Sequence, residues 1–409
     1  MTRAGRRRPA DDDVWASRRR HPTARPVATA GPSSTFVALL VVLLALNLLG
    51  LVMVLSASSV SALDAHGSSW YVALRQALFL SIGLAGCILV MRVDYHRWRR
   101  LATPALVISG VLLVLVRVPG LGSSANGATR WLGWGPFSFQ PSEVAKLTVL
   151  LFVADLLARR AAWMADARAT LFPVLVVLGT FGLLLMAQPN LGTTIVLGAI
   201  VLSVLYVAGT PLLPLAGLAA AGGVLATILA FAAPYRRARV LAFLDPWKDY
   251  ENTGYQTIQS LVGLASGGIT GTGLGQSRAK WGFLPYAHTD FIFAIIGEEL
   301  GLLGALTVVG LFVAFCVLGA RAALMAPDRF GMLLAAGITS WFGGQAFVNI
   351  GAVIGILPIT GVPLPFVSYG GTSLTINLVA AGLLLNVARQ GRRQGSDQPA
   401  SRRALVPTS

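Results

Sequence analysis

FVALLVVLLALNLLGLVMVL, residues 36–55, is a run of twenty residues without a single charge. As one helix it is long enough to cross the roughly 30 Å hydrocarbon core of a bilayer. Nine further apolar runs follow, at 70–91, 101–118, 141–157, 171–187, 194–207, 212–233, 294–320, 331–357 and 369–387. Those at 141–157, 171–187 and 194–207 are short or interrupted. Composition points the same way. Of 409 residues, 55% are hydrophobic and 12% charged, about half the charged share of soluble proteins, and mean hydropathy is +0.71. A chain of this length would otherwise suggest two or three soluble domains, but so few charges cannot cover so much apolar surface. The expected fold is an all-α integral membrane protein of about ten transmembrane helices.

The net charge is +16, from 32 Lys+Arg against 16 Asp+Glu. Eight arginines lie in the first 25 residues and five follow Val387, so much of the charge belongs to the ends rather than to a nucleic-acid-binding face. Arginines orient the spans. Arg92, Arg97, Arg99 and Arg100, then Arg159, Arg160 and Arg168, then Arg321 and Arg329 fall in alternate connections, whereas the loops after the first, fifth and ninth runs hold no Lys or Arg. That asymmetry puts both termini in the cytoplasm. It leaves one large extracytoplasmic loop, 234–293, between spans seven and eight; its basic residues escape the rule because the loop is long. Residues 1–34 read as a disordered basic cytoplasmic arm suited to anionic headgroups, 35–389 as the membrane domain, and 390–409 as a disordered tail. The first run is too long for a cleaved signal peptide. Cys87 and Cys316 both sit in apolar runs, which argues against a disulfide framework or a thiolate metal site. The four histidines form no zinc pattern, and neither a Walker motif nor a nucleophile elbow is present.

Polar residues that hydrocarbon should reject mark function in a membrane protein, and here they gather in the outward loops. One is NGATRWLGWGPFSFQPSEVAK (126–146). Pro141 suits the first turn of a helix, which places Glu143 and Lys146 on one face, three residues apart; they read equally as a structural ion pair or as site residues. Arg130, beside Trp131 and Trp134, reads as an interfacial anchor or as a ligand. The other is 234–293, with YRRAR (235–239), FLDPW (243–247), GYQ (254–256), SGGITGTGLGQSRAK (266–280) and WGFLPYAHTDF (281–291). An outward loop of this length without structure of its own is uncommon unless functional. The spacing of Gly271, Gly273 and Gly275 resembles a dinucleotide fingerprint only superficially, since no strand precedes it. Beside Gln276, Ser277, Arg278 and Lys280, those glycines would let N–H groups and cations approach an anionic ligand.

Asp290 has two readings. As a helix N-cap it contributes about 1 kcal/mol; as a carboxylate in a partly apolar cavity it has a raised pKa and serves as a general base, with His288 beside it. Asn caps about as well but takes no proton, so Asp290→Asn separates the two. Glu298 and Glu299 follow on the same helix, pointing about 100° apart, so they cannot both face one cavity. Trp341, Gln345 and Asn349 form a stripe at four-residue spacing that reads as interhelical glue. LPITGVPLPFVSYGGTS (357–373) reads as a rigid re-entrant connection over a cavity.

The motifs SEVAK (142–146), QPNLGTT (188–194), GLGQSRAKWGFLPYAHTDFIFAIIGEELGLLG (273–304) and ITGVPLPFVSYGGTS (359–373) resemble the SEDS family (shape, elongation, division and sporulation) over about residues 36–387, and most resemble its division branch. The resemblance implies a ten-span fold in the bacterial plasma membrane and a peptidoglycan glycosyltransferase that polymerises lipid II into β-1,4 glycan at the septum. It also implies a class B penicillin-binding protein, a transpeptidase, as partner, with other divisome membrane proteins. Asp290 matches the family's essential carboxylate. Asn190 stands where the family commonly has Asp, and Tyr286 where it often has Glu, which puts carboxylate roles there in doubt. The chemistry needs one base for an incoming hydroxyl and positive charge for a departing diphosphate. Arg130, Lys146, Arg278 and Lys280 are the candidate cations, and a divalent cation (Mg2+ or Mn2+) is another source of charge; no other cofactor is expected. Two rival readings are a lipid II flippase using the same cavity and a division scaffold without chemistry.

Overall fold

The computed structural model describes residues 33–125, 128–133, 138–161 and 167–391. The expected arm and tail lie outside these, except for Ser33, Ser34, Gln390 and Gly391. The described residues form twelve α-helices: α1 (Ser34–His66), α2 (Tyr71–Arg92), α3 (Tyr95–Leu115), α4 (Pro141–Arg159), α5 (Ala167–Ala187), α6 (Leu191–Val207), α7 (Leu212–Phe231), α8 (Pro234–Leu244), α9 (Tyr255–Gly267), α10 (Ile292–Leu324), α11 (Arg329–Val353) and α12 (Gly371–Gln390). Eight of them, α1, α2, α3, α5, α7, α10, α11 and α12, are long and apolar enough to cross a membrane. The two other expected spans are helices as well. At 17 residues α6 is short, and α4 carries Glu143, Lys146, Asp155 and Arg159.

Two features depart from expectation. An antiparallel hairpin, β1 (Gly122–Ala125) with β2 (Ala128–Leu132), interrupts the all-helical plan. A Cβ at Gly122 would come within 2.0 Å of the Val116 carbonyl, so only glycine lets the hairpin begin this close to the end of α3. Stretch 234–293 is also not structureless, since it contains α8, a 3-10 turn at Pro246–Asp249, α9 and a single turn at Ala279–Phe283. Furthermore, α1 runs eleven residues past the apolar run. The serines of its polar end bond back along the helix, Ser59 Oγ to Ser56 O at 2.9 Å and Ser61 Oγ to Ser58 O at 3.2 Å, and Ser56 is bonded to Glu299.

At the centre lie α4, α11 and α12, buried on nearly every side. Side chains apolar on most faces suit such a position, with buried exceptions that include Glu143, Lys146 and Asp155 on α4. Small residues bring α12 against α2: a Cβ on Gly382 would meet the Cys87 carbonyl at 2.8 Å, and one on Gly83 would meet Leu378 at 2.5 Å. Asn386 of α12 donates to Val90 O (2.8 Å) and Val93 O (2.5 Å), satisfying carbonyls at the end of α2 that have no helical partner. Helix α7, by contrast, has no buried residue and touches the bundle through α6 and α8.

Helix α10 is broken at Gly301, where φ is +67° and ψ −165°. The break removes two i→i+4 hydrogen bonds and exposes four backbone groups, each of which is costly to leave bare away from water. Segment 268–273 takes all four. Thr272 N–H donates to Glu298 O and Gly273 N–H to Glu299 O, both at 3.0 Å, while Leu302 and Leu303 N–H donate to Gly268 O (2.9 Å) and Ile269 O (3.2 Å). The glycines allow the backbones to approach this closely: a Cβ on Gly271 would lie 2.1 Å from Glu299 O, and one on Gly267 would lie 1.9 Å from Gly297 O.

Candidate active site

A cavity of about 760 Å3 opens at the end of the bundle that carries the hairpin and the α7–α10 connection. Its wall draws Arg75 and Phe79 from α2, Arg130 and Trp131 from β2, and Glu143 and Lys146 from the start of α4. Asn190 comes from the start of α6, Arg236 and Arg239 from α8, then Tyr286, Asp290 and parts of 358–373. Of the residues singled out in the sequence, the structure brings Asp290, Arg130, Glu143 and Lys146 together. It does not bring Gln276, Ser277, Arg278, Lys280 or His288 into this wall.

Asp290 caps nothing. The N-cap of α10 is Phe291, with no side-chain capping bond. Among the described residues no ion pair within 4 Å and no hydrogen bond engages the Asp290 carboxylate. Its backbone is fixed instead. Asn349 Nδ2 donates to Asp290 O at 2.8 Å and to Val362 O at 2.9 Å, and Tyr369 N–H donates to His288 O at 2.9 Å. Desolvation pushes the carboxyl up to about 6, against the opposing pull of Arg239 and Arg130. A group that titrates there is ionised at neutral pH and still basic enough to accept a proton. A Cβ placed on Gly361 would lie 3.6 Å from Asp290 Oδ2 and 4.0 Å from a terminal nitrogen of Arg239, so carboxylate and guanidinium flank that glycine.

The cations are held differently from one another. Lys146 sits 3.0 Å from Glu143 Oε1, donates to Gln345 Oε1 at 3.1 Å and lies 4.9 Å from the centre of the Trp341 ring. With side-chain exposures of 2% and 4%, Lys146 and Glu143 form a desolvated pair whose donors are engaged within the protein. Among the described residues, the polar stripe on α11 joins helices only through the Lys146–Gln345 bond; otherwise it bonds within its own helix and to a loop, Trp341 Nε1 donating to Gln345 Oε1 (2.8 Å) and Gln345 Nε2 to Pro363 O (2.8 Å). Arg130 braces the chain before α6, with Nε to Gln188 O at 3.1 Å and a terminal nitrogen to Pro189 O at 2.5 Å; burial lowers its pKa. Among the described residues, Arg236 Nε and one terminal nitrogen, and Asn190 Nδ2, are buried without an acceptor, and Glu143 Oε2 is buried without a donor.

The glycine-rich run serves protein carboxylates. Ser277 Oγ (2.5 Å), Arg278 N–H (2.7 Å) and Ala279 N–H (3.3 Å) donate to Glu298. Lys280 Nζ donates to Gly275 O at 2.5 Å and lies 3.7 Å from Glu299 Oε1, which also accepts from Ser56 at 2.6 Å. Gln276 N–H closes a turn onto Gly273 O at 3.1 Å, and the Arg278 side chain is exposed. His288 packs its ring 5.6 Å from that of Tyr369, and burial lowers its pKa. Site residues that the sequence reading passed over are Arg75, Arg236 and Arg239. The signal for the last two was YRRAR after Pro234, a helix start with cations at i and i+3.

The donors around Asp290 do not suit a resident divalent cation. Its charged neighbours are arginines, and among the described residues no group of three or more His, Cys, Asp or Glu could hold a metal.

Residues 37–393 match the FtsW/RodA/SpoVE family, described as cell cycle proteins. A probable peptidoglycan glycosyltransferase FtsW of Geobacter metallireducens is 42% identical over 350 residues, covering 86% of this chain and 93% of the relative. Stage V sporulation protein E of Bacillus subtilis is 42% identical over 366 residues, covering 89% of this chain and 100% of the relative. Among solved structures, a chain from a peptidoglycan synthase complex, described for its coordination of polymerization and crosslinking, superposes with a TM-score of 0.72 at 32% identity. It covers 88% of this chain and 98% of that one. Apolar helices, the arginine-walled cavity and these likenesses together make the chain a multi-pass membrane protein that belongs to the FtsW/RodA/SpoVE family of cell cycle proteins.

Proposed function

We propose that the chain is a peptidoglycan glycosyltransferase that polymerises lipid II into β-1,4 glycan during septal wall synthesis, with Asp290 as general base. One observation carries the reading: a carboxylate that has no partner among the described residues, its pKa raised, faces a cavity walled by arginines. Asp290 takes the proton from the acceptor 4-hydroxyl as that oxygen bonds to the donor's C1. The C1–O bond to the diphosphate breaks, its electron pair leaves with the polyprenyl diphosphate, and the anomeric configuration inverts. A diphosphate is already a good leaving group, so positive charge in the wall replaces a strong acid. The names borne by the relatives support this activity. The arginine asymmetry supports ten spans, counting α4 and α6, with both termini cytoplasmic, the cavity facing outward, and 1–34 and 390–409 as cytoplasmic extensions. Likeness to a synthase complex that couples polymerization to crosslinking supports a class B penicillin-binding protein as partner, within a larger assembly of division proteins.

The test is the purified chain with its transpeptidase partner and labelled lipid II in detergent. Wild type should yield glycan ladders that Asp290→Asn abolishes while the variant stays folded. Ladders from Asp290→Asn would refute the base, and leaflet exchange in liposomes without any polymer would replace the transferase with a flippase.

A further inference from the structure

Helix α7 is 20 residues long, about 30 Å at 1.5 Å per residue, which matches the thickness of the hydrocarbon core. None of its residues is buried, so lipid surrounds most of it, and its length brings Phe231 to the headgroup boundary. The chain then turns. Ala233 is extended, with φ −118° and ψ 135°, and Pro234 is the first residue of α8; proline imposes that conformation on the residue before it and cannot continue a helical ladder. Only Ala232 and Ala233 separate the two helices, so α8 begins at the same boundary. It packs chiefly on α7 and on the 3-10 turn that follows it. Tyr235, Arg236 and Arg239 line the cavity, while Arg237, Leu241 and Leu244, at i, i+4 and i+7, share the other side. Leu241 is 47% exposed and Leu244 70%. Directly after the helix, Trp247 and Tyr250 are 70% and 58% exposed, with Lys248 exposed between them. The turn that presents them is fixed. Asp249 accepts from Asn252 Nδ2 (3.0 Å), Thr253 N–H (3.2 Å) and Thr253 Oγ1 (2.7 Å), and a Cβ on Gly254 would lie 1.9 Å from Pro246 O. A rigid segment that holds Leu, Trp and Tyr open to water carries a standing cost. Trp and Tyr beside Arg and Lys are the residue set of the headgroup zone, where rings lie among acyl chains and cations meet phosphates. Asp245 and Glu251 are exposed as well, so apolar contact rather than net charge makes the attachment.

We propose that α8 and the turn after it form a membrane foot: Leu241, Leu244 and Trp247 lie in the headgroup–acyl boundary of the leaflet on the cavity side, with Arg237 and Lys248 at the level of the lipid phosphates. The occupant is the phospholipid leaflet, because this surface continues the lipid-exposed surface of α7. The opposite side of the same helix belongs to the cavity wall, so the leaflet sets the height of that wall and keeps the cavity opening at the membrane surface. The foot does not depend on which reaction the cavity performs.

The test reads position without turnover. The full chain with Cys87→Ala and Cys316→Ala is placed in nanodiscs of equal parts phosphatidylcholine and phosphatidylglycerol, with a nitrobenzoxadiazole label on Leu241→Cys, Leu244→Cys or Arg239→Cys. Lipid carrying a nitroxide near the top of its acyl chain should quench the labels at 241 and 244 about threefold or more above the label at 239, as an interfacial helix requires. Aqueous iodide should give the opposite order. Equal lipid quenching at 239 and 244, or iodide reaching 241 and 244 as readily as 239, overturns the foot. Labels at 241 and 244 that lipid does not quench, and that lose iodide access only when a transpeptidase partner is added, give this face to a protein and overturn it too. If the cysteine-free chain unfolds, tryptophan emission of the natural chain supplies the reading. The emission lost in Trp247→Phe should be the part that acyl-brominated lipid quenches and iodide does not, and the reverse refutes the foot.

Discussion

Replacing Lys146 with Met removes the ammonium that lies 3.0 Å from Glu143 Oε1 and leaves a carboxylate whose other oxygen already lacks a partner. Both residues are almost wholly enclosed, and breaking one partner of such a pair costs about 3–5 kcal/mol. The loss of the Lys146–Gln345 bond adds little, because Trp341 Nε1 still satisfies Gln345 Oε1 at 2.8 Å. Removing both charges is a different matter. Glu143→Leu/Lys146→Met exchanges an ion pair for apolar volume, which in buried settings ranges from neutral to stabilising by about 1–4 kcal/mol. The single variant should therefore melt well below wild type, and the double variant close to wild type or above it. Thermal unfolding of all four members of the cycle in one detergent measures this ordering. A double variant no more stable than Lys146→Met would refute the argument, because it would mean that water reaches the pair and no uncompensated charge was ever at stake.

Asp290 predicts a pH dependence. Because its pKa is raised to about 6, kcat/KM should fall as pH drops through 6, and Arg239→Gln, which removes a charge that lowers the pKa, should move that limb upward; an unmoved limb excludes the coupling. The same shift disfavours the ionised fold, so a stability contribution present below the unfolded pKa is lost as pH rises through 6. Asp290→Asn should therefore raise the melting temperature more at pH 8 than at pH 4, and equal gains would contradict the burial. Asn349→Leu leaves Asp290 O and Val362 O without their donor, and misplacement of about 1 Å costs on the order of 100-fold in rate. Turnover should drop far more than KM rises, whereas a lower melting temperature with unchanged turnover would make the residue structural alone. Gly301→Ala forces a side chain into a left-handed conformation, worth about 1–3 kcal/mol, and into backbone 2.4 Å away. It should destabilise much more than Gly217→Ala, where nothing lies within 4 Å; similar melting temperatures would mean that the break tolerates a Cβ.

Much of this architecture is legible along the chain because hydrocarbon thickness sets a length that apolar runs must meet. Leu191–Val207 falls short of that length yet is a helix among helices. The serine-rich end of α1 reads as loop by polarity, but its hydroxyls find carbonyls one turn back. Asp290 stood out by residue type and by its place before an apolar run, and Glu143 and Lys146, which line the same cavity, by their spacing. Arg236 and Arg239 did not, because their value depends on α8 lying at the rim of a cavity whose other walls come from elements as distant in sequence as α2, with Arg75, and the loop holding Gly361. The glycine run misled for a similar reason. Whether its N–H groups face a ligand or a protein carboxylate depends on Glu298, about twenty residues downstream and on another element.

The interruption at Gly301 has a mechanical corollary. Continuity between the two lengths of α10 is supplied by 268–273, a splint borrowed from about thirty residues earlier in the chain. A proteolytic nick in that splint, or a neighbour tugging on α9, would let the Asp290 end change its tilt while 302–324 stayed in place. Leverage over Asp290 thus belongs to whatever grips α9, rather than to whatever lies along the longer stretch of its own helix.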